Sequence, residues 1–336
     1  MQLETALPPR WDSLAEVAAT ATRLEDYGFD AVYSFEGAHD PFLPLACAAG
    51  STKKLGLGTA VAVAFSRNPM LCAQLANDLH WSSGGRHTLG LGAQTKEHIE
   101  QRFGEPWSKP VARMREYIMV IRAIWDCWNH GSELNFHGDF YNHTLMTPLF
   151  NPGPNPYGAP KIFVGAVGPK MIEMAAEICD GLYVSPFNTS AYVTEKVLPC
   201  LEKGFTKSGK DSDAFTISCH TITMLGCNDE EIEAARARGR AQVAQHLMLP
   251  AYTSMIEFLG WQDVVAEAQS LLKNNQWQNT AALVSDDMLN LIGVSGNPFQ
   301  IAEQINSRNF FASRTALGIY NESEPDAIAD LVRAVK

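Results

Sequence analysis

No stretch of the 336 residues approaches the roughly 18 consecutive apolar residues of a membrane helix. The opening stretch, MQLETALPPRW, lacks the apolar core of a signal peptide. Positive charge is scarce: 26 Lys and Arg stand against 37 Asp and Glu, a net charge of −11, with no basic run. That balance speaks against nucleic acid or an anionic membrane as partner. The seven cysteines include no C-x-x-C pair. Cys47, Cys72, Cys127 and Cys179 fall inside helical patterns, which suits reduced, buried thiols of a cytoplasmic protein. Also missing are H-E-x-x-H and an H-x-H after the first strand, so a metal-dependent barrel hydrolase is excluded and no metal is expected. Neither a G-x-S-x-G elbow nor a G-x-G-x-x-G dinucleotide fingerprint is present.

What remains is a globular composition, 46% hydrophobic and 19% charged, arranged in alternation. Strands are expected at 2–7, 29–35, 54–65, 86–93, 161–168, 182–187, 214–228 and 315–320. Helical patterns lie between them, among them 11–28, 40–52, 69–85, 111–131, 169–181 and 229–247; 297–308 and 324–335 follow near the end. Eight strands with helical crossovers, over this length and with no linker, predict an α/β fold: one (β/α)₈ TIM barrel domain spanning 1–336. Two segments break the rhythm. Residues 131–160 read as a hairpin around His137-Gly138-Asp139 and a Pro/Gly-rich loop. Residues 249–296 read as short helices that cover something.

In such a barrel the chemistry sits where strands run into the following loops. After the second strand stand Glu36, His39 and Asp40. A carboxylate beside an imidazole tunes it for acid–base work, so Glu36 and His39 are candidate catalytic residues. Asp40 also reads as a cap for the helix entered at Pro41. The third strand loses bulk at Thr59-Ala60-Val61-Ala62, just before an Asn68-Pro69 helix start. Small residues there admit a flat ligand to the backbone, or simply fit a crowded barrel wall. The fourth strand ends in Gly92-Ala93-Gln94, whose GLGAQTKEH lacks the Gly-Lys-Ser/Thr ending of a phosphate loop. The fifth ends in Gly165-Ala166-Val167-Gly168, and a helix starts at Pro169-Lys170-Met171. Amides at a helix start can hold a phosphate. His220, within an apolar strand, reads as a core histidine.

The pieces LEDYGFDAVYSFE, HDPFLPLACAA, LGLGTAVAVAFSRNP, GGRHTLGLGAQTKEHIEQRFG, RMREYIMVIRAIW and VGAVGPKMIEMAAEICDGLYV occur in order over residues 11–185. Together they resemble the luciferase-like monooxygenase superfamily, in its branch of coenzyme F420 (deazaflavin) oxidoreductases. The resemblance implies a usually dimeric barrel with an insertion region. It implies a bulge, often with a non-proline cis peptide, falling on Ala60-Val61 and backing the deazaflavin ring. It further implies Thr59 beside that bulge, Gly92, Ala93 and Gln94 at the ring's edge, and Gly165 through Met171 around the side-chain phosphate. Glu36 stands where several relatives carry a histidine acid/base, a departure that leaves His39 as the other proton handler. SPFNTS after the sixth strand has no lysine, so a sugar phosphate is not expected. Phe65, Trp81 and Trp107 are candidates for the substrate wall. The expected activity is hydride transfer between F420 and a small organic substrate. The alternatives are an FMN-dependent monooxygenase and, from another class, a non-catalytic flavin-binding protein.

Overall fold

The apolar strand runs form a closed parallel ring, seen here in a computed structural model that describes residues 1–319 and 325–336. The ring consists of β1 (Gln2–Ala6), β2 (Ala31–Ser34), β3 (Gly56–Thr59), β4 (His87–Gly92), β5 (Lys161–Gly165), β6 (Gly181–Val184), β7 (Thr216–Leu225) and β8 (Arg314–Gly318). Each pairs with the next in parallel, and β8 returns to β1 through Gln2 opposite Arg314. The expected eight-stranded TIM barrel is therefore present. Leu89, Leu91, Ile162, Val164 and Leu182 are fully buried, as strands covered on both faces require.

Helices fill the crossovers: α1 (Leu14–Tyr27), α2 (Phe42–Ser51), α3 (Pro69–Ser82), α4 (Pro110–His130), α5 (Pro169–Ile178), α6 (Leu198–Ser208) and α7 (Asp229–Leu247). Then come α8 (Thr253–Leu259), α9 (Gln262–Lys273), α10 (Asp286–Ile292), α11 (Pro298–Arg308) and α12 (Pro325–Val335). Their starts follow the local chemistry. The Ser13 hydroxyl accepts from Glu16 N–H, Asn68 accepts from Met70 N–H ahead of Pro69, and Asn228 accepts from Glu231 N–H. Among the described residues no helix is long and apolar enough to cross a membrane.

Three boundaries depart from expectation. The strand expected over 54–65 stops at Thr59, breaks at a cis Ala60–Val61 peptide, and resumes as Ala62–Val63 paired with Leu91 and Gly92. Gly293–Gly296, placed in an irregular region, is a strand beside the end of β7. The last expected strand and helix reach Tyr320 and Glu324, which lie outside the described residues.

The irregular segments sit on the barrel. Phe136–His137 and Asn142–His143 pair antiparallel, the expected hairpin. Glu116 of α4 holds it by accepting the N–H groups of Asp139, Phe140 and Tyr141 at 2.6–2.9 Å. Residues 249–296 carry α8 to α10 and cross the strand ends at Leu249, Ala251 and Tyr252.

Candidate functional site

The C-terminal ends of the strands surround a cavity of about 670 Å³. Ala60 and Val61 form part of its wall. Their bulge is sewn to β2, with Ala60 N–H donating to Ser34 O at 2.7 Å and Glu36 N–H donating to Val61 O at 3.0 Å. The Val61 side chain packs where a neighbouring Cβ cannot be. A Cβ on Gly92 would lie 2.4 Å from Val61 Cγ2, and one on Gly165 3.0 Å from Val61 Cγ1. The two glycines that end β4 and β5 are thus the sockets of this bulge.

Ala93 and Gln94 follow Gly92 along the wall. Gln94 adopts a left-handed backbone (φ 61°), and its side-chain oxygen accepts from Thr95 N–H. The run from Gly165 to Met171 lines the adjoining side. Gly168 caps α5 in an extended conformation with Pro169 at the first helical position, and Met171 N–H already donates to Gly168 O at 3.1 Å; this helix start adjoins the cavity. A Cβ on Gly168 would meet nothing within 4 Å. Lys170 is exposed and reaches Glu173 at 3.0 Å.

Glu36 reaches the wall with a carboxylate that is already engaged. Arg67 Nη1 donates to its Oε2 at 2.5 Å and Nη2 to its Oε1 at 3.2 Å, while Val63 N–H donates to Oε2 at 3.2 Å. Arg67 Nη2 also donates to Asp40 at 2.8 Å. Burial alone would lower the Arg67 pKa, yet the hydrogen bonds it donates to Glu36 and Asp40 raise it above its ordinary value. The trio fastens the loop after β2 to the loop after the bulge. Asp40 also accepts from Phe42 N–H at 2.8 Å, so it caps α2 as read from sequence.

Two expected site residues lie elsewhere. His39 stacks on Trp11 with ring centroids 4.3 Å apart, in a separate small cleft with Pro44. Aromatic packing draws it away from the cavity. Thr59 is fully buried, and its hydroxyl both donates to Gly90 O and accepts from Gly90 N–H at 2.7–2.8 Å. It ties β3 to β4 where the ladder gives out. Of the three aromatics, Trp107 lines the cavity. Phe65 is buried behind it at 5.9 Å, and Trp81 is 45% exposed on α3.

The opposite wall was not legible as a site. It carries Tyr183, Ser185, His220 and Tyr252. Ser185 and Tyr252 share a 2.6 Å hydrogen bond. The Tyr183 ring lies across the barrel over two glycines: a Cβ on Gly90 would come within 2.6 Å of its Cε2, and one on Gly58 within 3.0 Å of its hydroxyl. Tyr183 also lines a polar hollow of about 170 Å³ at the N-terminal strand ends, where Arg314 pairs with buried Glu4 at 2.8 Å. His220 packs between Tyr33 and Tyr183, with centroids at 4.7 and 5.4 Å. Its Nε2 has no hydrogen-bond partner, and burial pushes its pKa down to about 4. Among the described residues no cluster of three or more His, Cys, Asp or Glu could hold a metal ion.

The family described as luciferase-like monooxygenase matches residues 1–311. An uncharacterized protein of Mycobacterium tuberculosis is 42% identical over 308 residues, 92% of this chain and 90% of its own. A 5,10-methylenetetrahydromethanopterin reductase of Archaeoglobus fulgidus is 30% identical over 291 residues, 84% of this chain and 82% of its own. The solved structure of a coenzyme F420-dependent tetrahydromethanopterin reductase from Methanopyrus kandleri superposes with a TM-score of 0.80. It covers 99% of this chain and 98% of its own at 20% identity, a likeness of fold. The chain belongs to the luciferase-like monooxygenase family, a family of enzymes built on this barrel.

Proposed function

We propose that this protein is an oxidoreductase that uses coenzyme F420 to exchange a hydride with a small organic substrate. The observation that carries the reading is the bulge at Ala60–Val61 facing a large apolar cavity whose far side is the start of α5. The chain's own residues suit the group. Ala60, Val61, Gly92 and Ala93 offer a smooth wall of small side chains for a flat ring system. The N–H groups of Ala166, Val167, Gly168 and Lys170 suit an anionic phosphate. Gly168 leaves open space on that side. When bound, a deazaflavin supplies two-electron hydride chemistry.

The protein's part is orientation and shielding. Val61, seated in the sockets at Gly92 and Gly165, sets the plane of the wall. Arg67 and Glu36 hold the loops on either side of that bulge. Trp107 and Tyr252 stand on the cavity wall and keep water out. In this reading Glu36 anchors the bulge, and His39 takes no part in proton transfer.

The protein is also read as a homodimer. Leu71 and Leu75 of α3 and Leu149 and Phe150 of the inserted loop expose an apolar hollow of about 560 Å³. That is a face suited to a second copy.

Titration of the purified chain with F420 and, separately, FMN, followed by cofactor fluorescence, tests the reading. Tight binding of F420 alone is expected. Preference for FMN moves the protein to flavin-dependent oxygenation, and binding of neither overturns the cofactor assignment.

A further inference from the structure

We infer that the polar hollow at the N-terminal end of the barrel is a second binding site, and that it takes a small free oxyanion such as inorganic phosphate on Arg314, Tyr183 and Thr88. The site lies at the opposite end of the strands from the cavity and does not depend on the reading of function above.

The hollow exists because side chains are missing. The interior of such a barrel is ordinarily filled by layers of bulky side chains. Here Ala31 of β2 and Gly56 and Gly58 of β3 border about 170 Å³ without filling it. That is room for on the order of ten waters.

Two buried hydroxyls lack a partner there. Tyr183 is 6% exposed and lines both chambers, but its oxygen belongs to the lower one. A Cβ on Gly58, which borders the hollow and not the cavity, would stand 3.0 Å from that oxygen. Burial raises the Tyr183 pKa, Glu4 adds to the rise and Arg314 opposes it, and both of those charges border the hollow alone. Thr88 is 8% exposed and shares the inward face of β4 with Gly90. Neither hydroxyl makes a hydrogen bond among the described residues. Such a group is costly unless a ligand or water completes it.

Charge selects the ligand. Lys54, Arg86 and Arg314 border the hollow against Glu4 and Asp30. Both carboxylates are engaged: Glu4 by Arg314 and by the Ser218 hydroxyl at 2.7 Å, Asp30 by Lys336 and by Leu3 N–H. Arg86 spends its donors on Ser83, Thr52, Leu55 and Ala49, with no carboxylate bonded to it. Glu25, whose charge acts on Arg86, is taken up by the N–H groups of Lys53, Lys54 and Leu55. Lys54 is exposed and its ammonium makes no hydrogen bond among the described residues. Arg314 gives one nitrogen, Nη1, to Glu4, and its Nε and Nη2 make no hydrogen bond among the described residues. That pair is a fork matched to two oxygens of one oxyanion. Donors are in surplus and acceptors are spent, so an anion fits and a cation does not. Because Tyr183 is also a wall of the upper cavity, an anion on its hydroxyl steadies that wall from below.

Calorimetric titration of the whole chain with inorganic phosphate and with phenyl phosphate, at an ionic strength held constant with sodium chloride, tests the inference. Phosphate is expected to bind, and phenyl phosphate to bind at least tenfold more weakly because the ring exceeds the hollow. Y183F and T88V each remove one hydroxyl and keep the shape; each should weaken phosphate about tenfold. K54M changes an exposed side chain and should weaken it about threefold. Circular dichroism and melting without phosphate show that the variants are folded. Heats no larger than those of added chloride would mean that the hollow holds water only, and would overturn the inference. Phosphate affinity unchanged in Y183F and T88V would place the ion elsewhere, at the start of α5, with the same result. Phenyl phosphate binding as tightly as phosphate would refute a site for the free ion.

Discussion

Replacing Gly92 with alanine would set a methyl group 2.4 Å from Cγ2 of Val61, 1.0 Å short of an ordinary 3.4 Å contact. Neither side can give cheaply. Gly92 is locked in β4 beside Val63, and Val61 is held by the hydrogen bond of its carbonyl to Glu36 N–H. Overpacking of this kind costs about 1–3 kcal/mol, which for a chain of this size is a fall in Tm of roughly 1.5–4 °C. The displaced residue is also the cavity wall, so F420 affinity should fall at least tenfold, a larger effect than the stability loss alone would bring. V61A removes the clashing methyl, and the G92A/V61A double variant should recover most of the Tm and affinity lost in G92A. Thermal unfolding and fluorescence titration of the four proteins make a double-mutant cycle. If G92A melts and binds like the parent, or if V61A adds its own loss on top, the socket argument is refuted. G165A, where the approach is 3.0 Å, should show the same pattern more weakly.

Arg67→Met strands the Glu36 carboxylate, only 9% exposed, and should cost about 3 kcal/mol in urea unfolding. Adding E36Q should return more than half of this, and a purely additive double variant would sink the idea. Burial depresses the pKa of His87 to about 3 and of His220 to about 4, below the ordinary 6.5. Their share of stability is therefore complete above pH 6.5 and is lost as pH falls towards those values. H87Q should flatten the loss of unfolding free energy between pH 6.5 and 4, and an unchanged slope would refute the assignment. L71D combined with F150D should halve the mass seen by light scattering without altering the circular dichroism; an unchanged mass would discard this face as the dimer contact.

Most of the barrel was legible because its strands carry apolar runs and its helices carry caps, both local signals. The expected helix at 229–247 has the same limits as α7, since Asn228 caps it and acidic residues fill its first turn. The bulge at Ala60–Val61 came from resemblance, and the cis peptide sits there. The strand at Gly293–Gly296 escaped notice because GVSG is too short and too glycine-rich to show alternation; its partner β7 supplies the order. His39 and Glu36 both looked available, because sequence adjacency shows Asp40 and hides Trp11, 28 positions before His39, and Arg67, 31 positions after Glu36. His220 was read as core for a related reason. In a barrel an inward-facing position on a strand is core in one layer and active-site wall in the next, and the alternation pattern is identical in both.

Tyr183 carries a consequence for the whole tube. Its ring is a bulkhead between an oily chamber above and an ion-paired, wettable hollow below. Gly58 leaves room for the hydroxyl of that plate, and at Gly90 a side chain would meet the Thr59 carbonyl first and the ring second. Trimming the plate to alanine would turn a blind well into a conduit along the barrel axis. The floor of the cavity on the side of the polar hollow is thus closed in part by a single phenol, with the strands around it as its frame.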